Sequence, residues 1–187
     1  LTNHPWRFSQ RKLARRFNFK PCVVVNDLAA VARGVAQADT TSPTSLKRGK
    51  PAADAAVAVI APGTGLGVAC LLPPGRGVRG QASEGGHMTV APDLPELAAL
   101  VERLRRRQGH VATEDLLSAP GLHRLYGLLA ESRKLPATLP DPPALGRAAR
   151  DGSDALALDS VRLYARLLGG CAADLVMAFD ARGGVLI

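Results

Sequence analysis

Apolar and polar positions follow two different periods along the chain, and together they predict alternating helices and strands. A period near 3.6 residues or an alanine-rich composition is typical of helices, whereas short runs of β-branched residues are typical of buried strands. The predicted helices cover residues 10–17, 28–32, 97–106, 121–132 and 154–179. The predicted strands cover residues 21–25, 55–61, 68–72 and 183–187. This mixture indicates an α/β fold.

The boundaries of these segments carry residues suited to begin or interrupt them. Ser9 is placed to cap the first helix. The last helical segment, residues 154–179, is long enough for one helix or two, and Gly169 with Gly170 would allow close packing there. Between the helices and strands, polar or proline-rich sequence predicts loops at 39–54, 75–95 and 135–143, while 110–118 predicts the start of a short helix. We interpret 39–54 as the boundary between two lobes.

Composition narrows the class of protein. With 187 residues and 47% hydrophobic side chains, the chain is large enough to bury a core, which argues against disorder. No apolar run approaches the roughly 20 residues of a membrane-spanning helix. Cys22, Cys70 and Cys171 are far apart in apolar stretches, which favours reduced core thiols and a cytoplasmic protein over a disulfide framework or a metal pair.

The chain is basic, with 24 Lys and Arg against 16 Asp and Glu and a formal net charge of +8. Its arginines cluster near residues 11–16 and 103–107. Aromatic residues make up only 4% of the chain and none is interleaved with these clusters, so a surface that stacks bases is disfavoured. We interpret the arginines as solvated faces and expect no nucleic-acid partner.

The glycine turn, residues 62–67, is the first candidate for chemistry. Gly63, Gly65 and Gly67 free the backbone so that its N–H groups can converge on phosphate oxygens. A strand follows the turn, so this is not the dinucleotide fingerprint, and the only Gly-Lys pair runs into a proline, so it is not a Walker loop. The alternative is a hairpin turn that merely needs positive φ angles.

Asn26 and Asp27 are the second candidate, because they lie where a predicted strand hands over to a helix. Ligands of α/β folds bind at this edge. The helix dipole favours an ionised carboxylate there, so Asp27 can accept a proton from a hydroxyl. The alternative is that one of the two side chains only caps the helix.

The third candidate is a loop that contains Glu84 and His87, with Glu114 further along the chain. The two glycines between Glu84 and His87 disfavour a metal-binding helix. A tight loop that presents a carboxylate and an imidazole to a polyhydroxylated ligand fits better. Glu114 adds a carboxylate, although alone it is also typical of a surface helix.

Taken together these segments resemble the bacterial glucokinase family, of the two-lobed sugar kinase fold that is ribonuclease H-like and shared with actin-like ATPases. The resemblance covers nearly the whole chain in the family's order and spacing. The segments that carry it are 1–9, 25–27, 62–67, 83–87, 109–111, 114, 117–122 and 183–185. It implies that residues 1–37 are a remnant of the small lobe and that 38–187 form the large lobe.

The resemblance also implies roles for these residues in ATP-dependent phosphorylation of the 6-hydroxyl of glucose. Asp27 would be the catalytic base, and the ATP would bring its own Mg²⁺. The sugar-binding residues would be Asn26, Glu84, His87 and Glu114. The residues at the ATP phosphates would be Gly63, Thr64 and Gly65. It further implies a cytoplasmic enzyme that forms a homodimer at full length.

The chain departs from the family at both ends. No Asp-x-Gly-Gly-Thr-Asn segment precedes Leu1, and the sequence stops directly after its Gly-Gly-Val strand. We therefore expect a fragment with the sugar residues in place and impaired ATP binding. Two alternatives are a non-catalytic sugar-binding module and a related hexose or N-acetylhexosamine kinase. The zinc cluster usual in the repressor, open reading frame and kinase group is disfavoured by the scattered cysteines.

Overall fold

The computed structural model describes residues 7–37, 44–75 and 77–187. The helices are α1 (Gln10–Phe17), α2 (Asp27–Gln37), α3 (Pro95–Gln108), α4 (Ala119–Arg133), α5 (Pro142–Asp151) and α6 (Ala155–Phe179). The strands are β1 (Val57–Pro62), β2 (Leu66–Gly75), β3 (Gly77–Ser83) and β4 (Gly184–Leu186). Two short 3₁₀ turns, Gly85–His87 and Thr113–Asp115, lie in the connections.

One mixed sheet organises the described residues, with its strands in the order β3-β2-β1-β4. β1 and β2 form a hairpin whose register pairs Pro62 with Leu66, and β2 continues antiparallel into β3. β4 returns from the far end of the chain to lie parallel to β1, with Gly184 opposite Val57. The residues between Pro62 and Leu66 are therefore the tip of a hairpin at one end of the sheet.

Helices cover both faces of this sheet. Because successive strand residues point to opposite faces, Val68 joins a large core under α3–α6, whereas Ala69 and Leu71 pack with Ala32 of α2. α2 lies so close to β3 that a Cβ on Gly80 would come within 2.8 Å of the Ala29 carbonyl oxygen. The larger core holds the fold together, and α2 is attached by the smaller one.

Side-chain caps set the starts of several helices, as their sequences predict. Ser9 accepts a hydrogen bond from the Lys12 N–H, which confirms the predicted cap of α1. Ser118, Asp141 and Asp154 cap α4, α5 and α6 in the same way. α6 is a single helix of 25 residues. Among the described residues, no atom lies within 4 Å of a Cβ placed on Gly169 or Gly170, so this part of the chain does not show the predicted close packing there.

The valine run is the main error of the sequence prediction. Val23, Val24 and Val25 are not in a strand, and they are 67%, 49% and 46% exposed. An extended segment becomes a strand only when a neighbouring strand satisfies its N–H and C=O groups. Among the described residues all four strands belong to the one sheet, and none runs beside this segment.

Other predictions differ from the structure in smaller ways. Residues 110–118 contain only the turn Thr113–Asp115, and the sequence prediction missed both β3 and α5. β3 reads as a loop because its sequence is rich in glycine and polar residues, and α5 begins with prolines that suit a first helical turn. Residues 1–6 of the predicted family segment and 39–43 of the predicted lobe boundary lie outside the described residues.

The cysteine and membrane predictions can be compared with the described part of the chain. Cys70 and Cys171 are buried, and Cys22 is half-buried. Burial raises the pKa of the Cys70 thiol, and burial together with the nearby Asp174 raises the pKa of Cys171. Within the described ranges, no helix is both long and apolar enough to cross a membrane.

Candidate functional site

The glycine turn lies at the tip of the β1–β2 hairpin. The Gly63 N–H donates to the Gly65 carbonyl at 2.8 Å, and the Gly63 carbonyl accepts from the N–H of Ala119, the first residue of α4, at 2.7 Å. Gly63 and Thr64 are exposed. The tip is thus fastened to a helix start while its outer backbone and the Thr64 hydroxyl stay open to solvent.

The reason for the glycines differs from the expected one. None of Gly63, Gly65 and Gly67 has a positive φ, so neither a strained turn nor a hairpin of primed type explains them. Close approach explains two of them instead. A Cβ on Gly65 would overlap the Glu114 carboxylate, and a Cβ on Gly67 would lie 2.7 Å from Cγ of Leu28.

Glu114 joins the glycine turn to the loop of His87. Its Oε2 accepts a hydrogen bond from the Leu66 N–H at 2.8 Å. Its Oε1 lies 3.6 Å from Nε2 of His87, whose side chain is 65% exposed. One carboxylate therefore contacts both the hairpin tip and the imidazole, although 48 residues separate Glu114 from Leu66.

The two loops that carry His87 and Glu114 are tied together by their backbones. The N–H and the hydroxyl of Thr113 both donate to the Met88 carbonyl, at 2.8 and 3.0 Å. The Val90 N–H donates to the Val111 carbonyl at 3.0 Å. Because Thr113 is buried, these bonds are shielded from water. The loops 84–90 and 111–118 consequently form one unit.

Glu84 stands at the start of the turn Gly85–His87. Its carbonyl accepts from the His87 N–H at 2.9 Å, and its exposed side chain does not cap the turn. The turn is pressed against the hairpin, since a Cβ on Gly86 would overlap the Leu66 carbonyl oxygen. The predicted tight loop with a carboxylate and an imidazole is present.

Asn26 and Asp27 begin α2, close to the other end of the glycine turn. Oδ1 of Asn26 accepts from the N–H groups of Leu28 and Ala29 at 2.9 and 3.3 Å, so Asn26 is the helix cap. Oδ1 of Asp27 accepts from the Leu28 N–H at 2.8 Å, and the residue is exposed. Leu28 packs over Gly67, which places the start of α2 against the hairpin.

The structure thus attaches three predicted site segments to the glycine turn, residues 62–67. α2 contacts it through Leu28, Glu114 contacts it through Leu66, and the Glu84–His87 loop contacts it through Gly86 and Glu114. Three carboxylates and one imidazole lie on these segments. Such a set is suited to accept and donate hydrogen bonds to the hydroxyls of a small polar ligand.

Two other features lie apart from these groups. A cavity of about 290 Å³ is lined by Cys70, Leu72, Gln81, Ala82, Ser83 and Phe179, and it includes none of the predicted site residues. The described part of the chain has no group of three or more His, Cys, Asp or Glu side chains placed to hold a metal ion. The arginines of α3 form ion pairs on the surface, with Glu102 and with Glu131 of α4.

Comparison with known proteins identifies the family. The sequence model of the family described as Glucokinase matches residues 1–187. The chain belongs to the glucokinase family. A glucokinase from Paramagnetospirillum magneticum is 36% identical over the whole chain, which spans 59% of that protein. A glucokinase from Saccharophagus degradans is 32% identical, and the chain spans 58% of it.

Solved structures agree with this family and confirm the predicted fold. The crystal structure of a glucokinase from an Antarctic psychrotroph superposes with a TM-score of 0.86 at 32% identity, covering 98% of this chain and 57% of the other. A ROK family glucokinase from Streptomyces griseus, solved in complex with glucose and AMPPNP, superposes with a TM-score of 0.61 at 28% identity. The chain is part of the α/β sugar kinase fold and spans somewhat over half of these relatives.

Sequence reasoning missed several of the contacts that hold the candidate site in shape. Thr113 ties the two loops together, and Gly67 and Gly86 leave room for neighbours. Gly67 was singled out for the freedom of its backbone and not for the close approach of Leu28, although a glycine inside an apolar strand is also typical of a close approach. The sequence contains no such signal for Thr113, because its hydrogen-bond partner Met88 is far away in the sequence.

Proposed function

We propose that the protein containing this chain transfers the γ-phosphoryl group of ATP to the 6-hydroxyl of glucose. Membership of the glucokinase family supports this proposal, as does the Streptomyces griseus neighbour solved with glucose and an ATP analogue. The observation that carries it is the Glu114 carboxylate, which contacts the hairpin tip and His87 at once. A sugar and a phosphate donor that react directly require such adjacent sites.

The sugar would lie against the side chains of Asn26, Glu84, His87 and Glu114. Glu84 and His87 are exposed on a loop held by backbone bonds, so they can reach a ligand without unfolding the turn. Polar groups that the bound sugar covers and pairs with each hydroxyl reject analogues lacking a hydroxyl, because a covered group would be left unpaired. This is the basis we propose for selectivity towards glucose.

Asp27 would receive the proton of the 6-hydroxyl. The hydroxyl oxygen attacks the γ-phosphorus, the bond from that phosphorus to the bridging oxygen breaks, and ADP leaves. A carboxylate is a weak base towards an alcohol, so Asp27 orients the hydroxyl and accepts the proton late in the transfer. The products are glucose 6-phosphate, ADP and a proton.

The phosphates of ATP would meet the hairpin tip at Gly63, Thr64 and Gly65. The tip exposes backbone groups and one hydroxyl, which suit phosphate oxygens. Mg²⁺ on a nucleotide is held largely by phosphates and water, so it needs few protein ligands. When bound, it offsets the negative charge on the phosphates.

Location and assembly complete the proposal. A cytoplasmic location is supported by the free cysteines, because reduced thiols are typical of proteins in a reducing compartment. A homodimer and the absence of a nucleic-acid partner remain predictions from the family resemblance and from composition.

Substitution of Asp27 tests the proposal in the protein as its gene encodes it. Asp27→Asn should lower kcat by about 10²- to 10⁴-fold, the usual loss for a general base, and leave the Kd for glucose within about threefold. The matched control is Asp54→Asn, at another exposed carboxylate outside the site, which should leave kcat unchanged. A coupled assay gives kcat, and calorimetry gives the Kd.

Two results would count against the proposal. If Asp27→Asn turned over as fast as the parent, Asp27 would not be the base. If the parent bound glucose but transferred no phosphoryl group from ATP, the chain would belong to a sugar-binding module.

A further inference from the structure

At the position of Gly65, the Cβ of any other residue would overlap with the Glu114 carboxylate. A Cβ built there would overlap Oε2 of Glu114 and lie 3.2 Å from its Cδ. The φ angle of Gly65 is not positive, so backbone conformation does not require glycine here. Gly63, two residues earlier in the same turn, has no atom of the described residues within 4 Å of its Cβ position. Contact with Glu114 is what distinguishes the two glycines.

The Glu114 carboxylate has a defined place because its surroundings hold it on several sides. Leu66 donates its N–H to Oε2 at 2.8 Å, and Leu66 is itself buried. On the other side, Oε1 faces His87. The backbone beneath Glu114 is fixed by the two hydrogen bonds from Thr113 to Met88. A group added at residue 65 would therefore displace the carboxylate and leave the backbone where it is.

We propose that Gly65 is a positioning residue of the sugar site, whose missing side chain seats the Glu114 carboxylate. This inference rests on the proposed function, in which Glu114 binds a sugar hydroxyl. The hairpin tip at the phosphates and the carboxylate at the sugar then set each other's position. Gly65 serves sugar recognition through Glu114 as well as leaving its backbone free for a phosphate.

We call the dependence of the Glu114 carboxylate position on the missing side chain of Gly65 the interlock. A double-mutant cycle of Gly65→Ala and Glu114→Ala tests it. In the parent, Gly65→Ala should raise the Kd for glucose about tenfold or more, the usual loss when a hydrogen bond to a charged group is misplaced. In the Glu114→Ala background the carboxylate is gone, so the same substitution should change the Kd less than about twofold. Binding is measured by calorimetry without nucleotide, which separates this role from any phosphate contact.

Thermal unfolding without ligand gives a second reading of the same cycle. Gly65→Ala should lower Tm in the parent, because the displaced carboxylate loses the Leu66 N–H, and should leave Tm nearly unchanged in Glu114→Ala. The clash involves the end of a side chain and no backbone atom, so the variant is expected to fold. Gly127→Ala, in α4, is the matched control, because in the described part of the chain no atom lies within 4 Å of its Cβ position.

The possible results distinguish the positioning role of Gly65 from the proposed function of the protein. Equal effects of Gly65→Ala on Tm in both backgrounds overturn the interlock. If Tm shows the coupling but Gly65→Ala leaves the glucose Kd of the parent unchanged, the positioning role is overturned. A parent that binds no glucose overturns the proposed function, while the Tm cycle still decides the interlock.

Discussion

The helices α3–α6 and the loops of the candidate site lie on the same sheet but are held together by different means. In the helical layer, side chains such as Leu125, Tyr126 and Leu129 fill a core and are fully buried. At the site, backbone hydrogen bonds hold the loops together, and glycines such as Gly65 and Gly86 let neighbouring groups approach closely because they have no side chain. Removing side-chain atoms should therefore lower the stability of the helical layer most, whereas adding side-chain atoms should lower the stability of the site most.

The largest effect is expected from removing atoms in the helical layer. Leu125→Ala should lower the free energy of unfolding by about 2–5 kcal/mol, because it deletes packed methyl groups and leaves a cavity. Leu135→Ala, at a leucine that is 50% exposed, should change it by less than about 0.5 kcal/mol. Urea unfolding measures both values, and similar losses in the two variants would contradict the comparison.

Adding atoms at the site should have the next largest effect. Gly86→Ala places a methyl group against the Leu66 carbonyl, which is backbone and cannot swing aside, so a loss of about 1–3 kcal/mol is expected. Gly127→Ala adds the same group to open space in α4 and should stabilise by about 0.5–1 kcal/mol. The two denaturation curves should move in opposite directions; a shift in the same direction would remove the distinction.

The smallest effect concerns an ion pair on the surface of the helical layer. Arg133 contacts Glu96 at 3.0 Å and Asp159 at 2.6 Å, and its hydrogen bond to Asp159 holds the pKa of that carboxyl below its ordinary value. Arg133→Gln should destabilise by about 0.5–1 kcal/mol at neutral pH, because the side chains of Arg133 and Asp159 are 37% and 32% exposed and the ion pair is screened by solvent and salt.

The pH dependence of this pair has a definite sign. A carboxyl whose folded pKa is lowered contributes stability above its unfolded pKa, about 3.9, and loses it as the pH falls through the folded value. The stability gap between parent and Arg133→Gln should thus be full at pH 7 and shrink below about pH 4. Urea unfolding between pH 7 and pH 3 measures the gap, and a constant gap would show that the Asp159 charge plays no part.

The same contrast explains what the sequence could predict. The helices other than α5, and the β1–β2 hairpin, follow from local periodicity and caps, which are properties of neighbouring residues. The valine run at 23–25 failed because a strand also depends on a partner strand, which local sequence does not contain. β3 was missed for the converse reason, since pairing with β2 makes a strand of a glycine-rich sequence.

At the site, residue types were predictable and their mutual geometry was not. Asn26 and Asp27 stand at a helix start, and Glu84 and His87 share one short loop, so local rules were enough to single them out. The bond from Leu66 to Glu114 joins residues far apart in the sequence and arises only when the loops 84–90 and 111–118 meet the hairpin. Thr113, which ties those loops, was invisible for the same reason.

The parallel pairing of β1 with β4 affects the order in which the molecule can form. The β1–β2–β3 meander uses near neighbours, so it can form while the chain is still being made. β4 reaches β1 only after all of α3–α6 has been synthesised, because it follows α6 in the sequence. Until then the described residues supply no partner for that edge of β1, and an unpaired strand edge can pair with other chains and so favour aggregation.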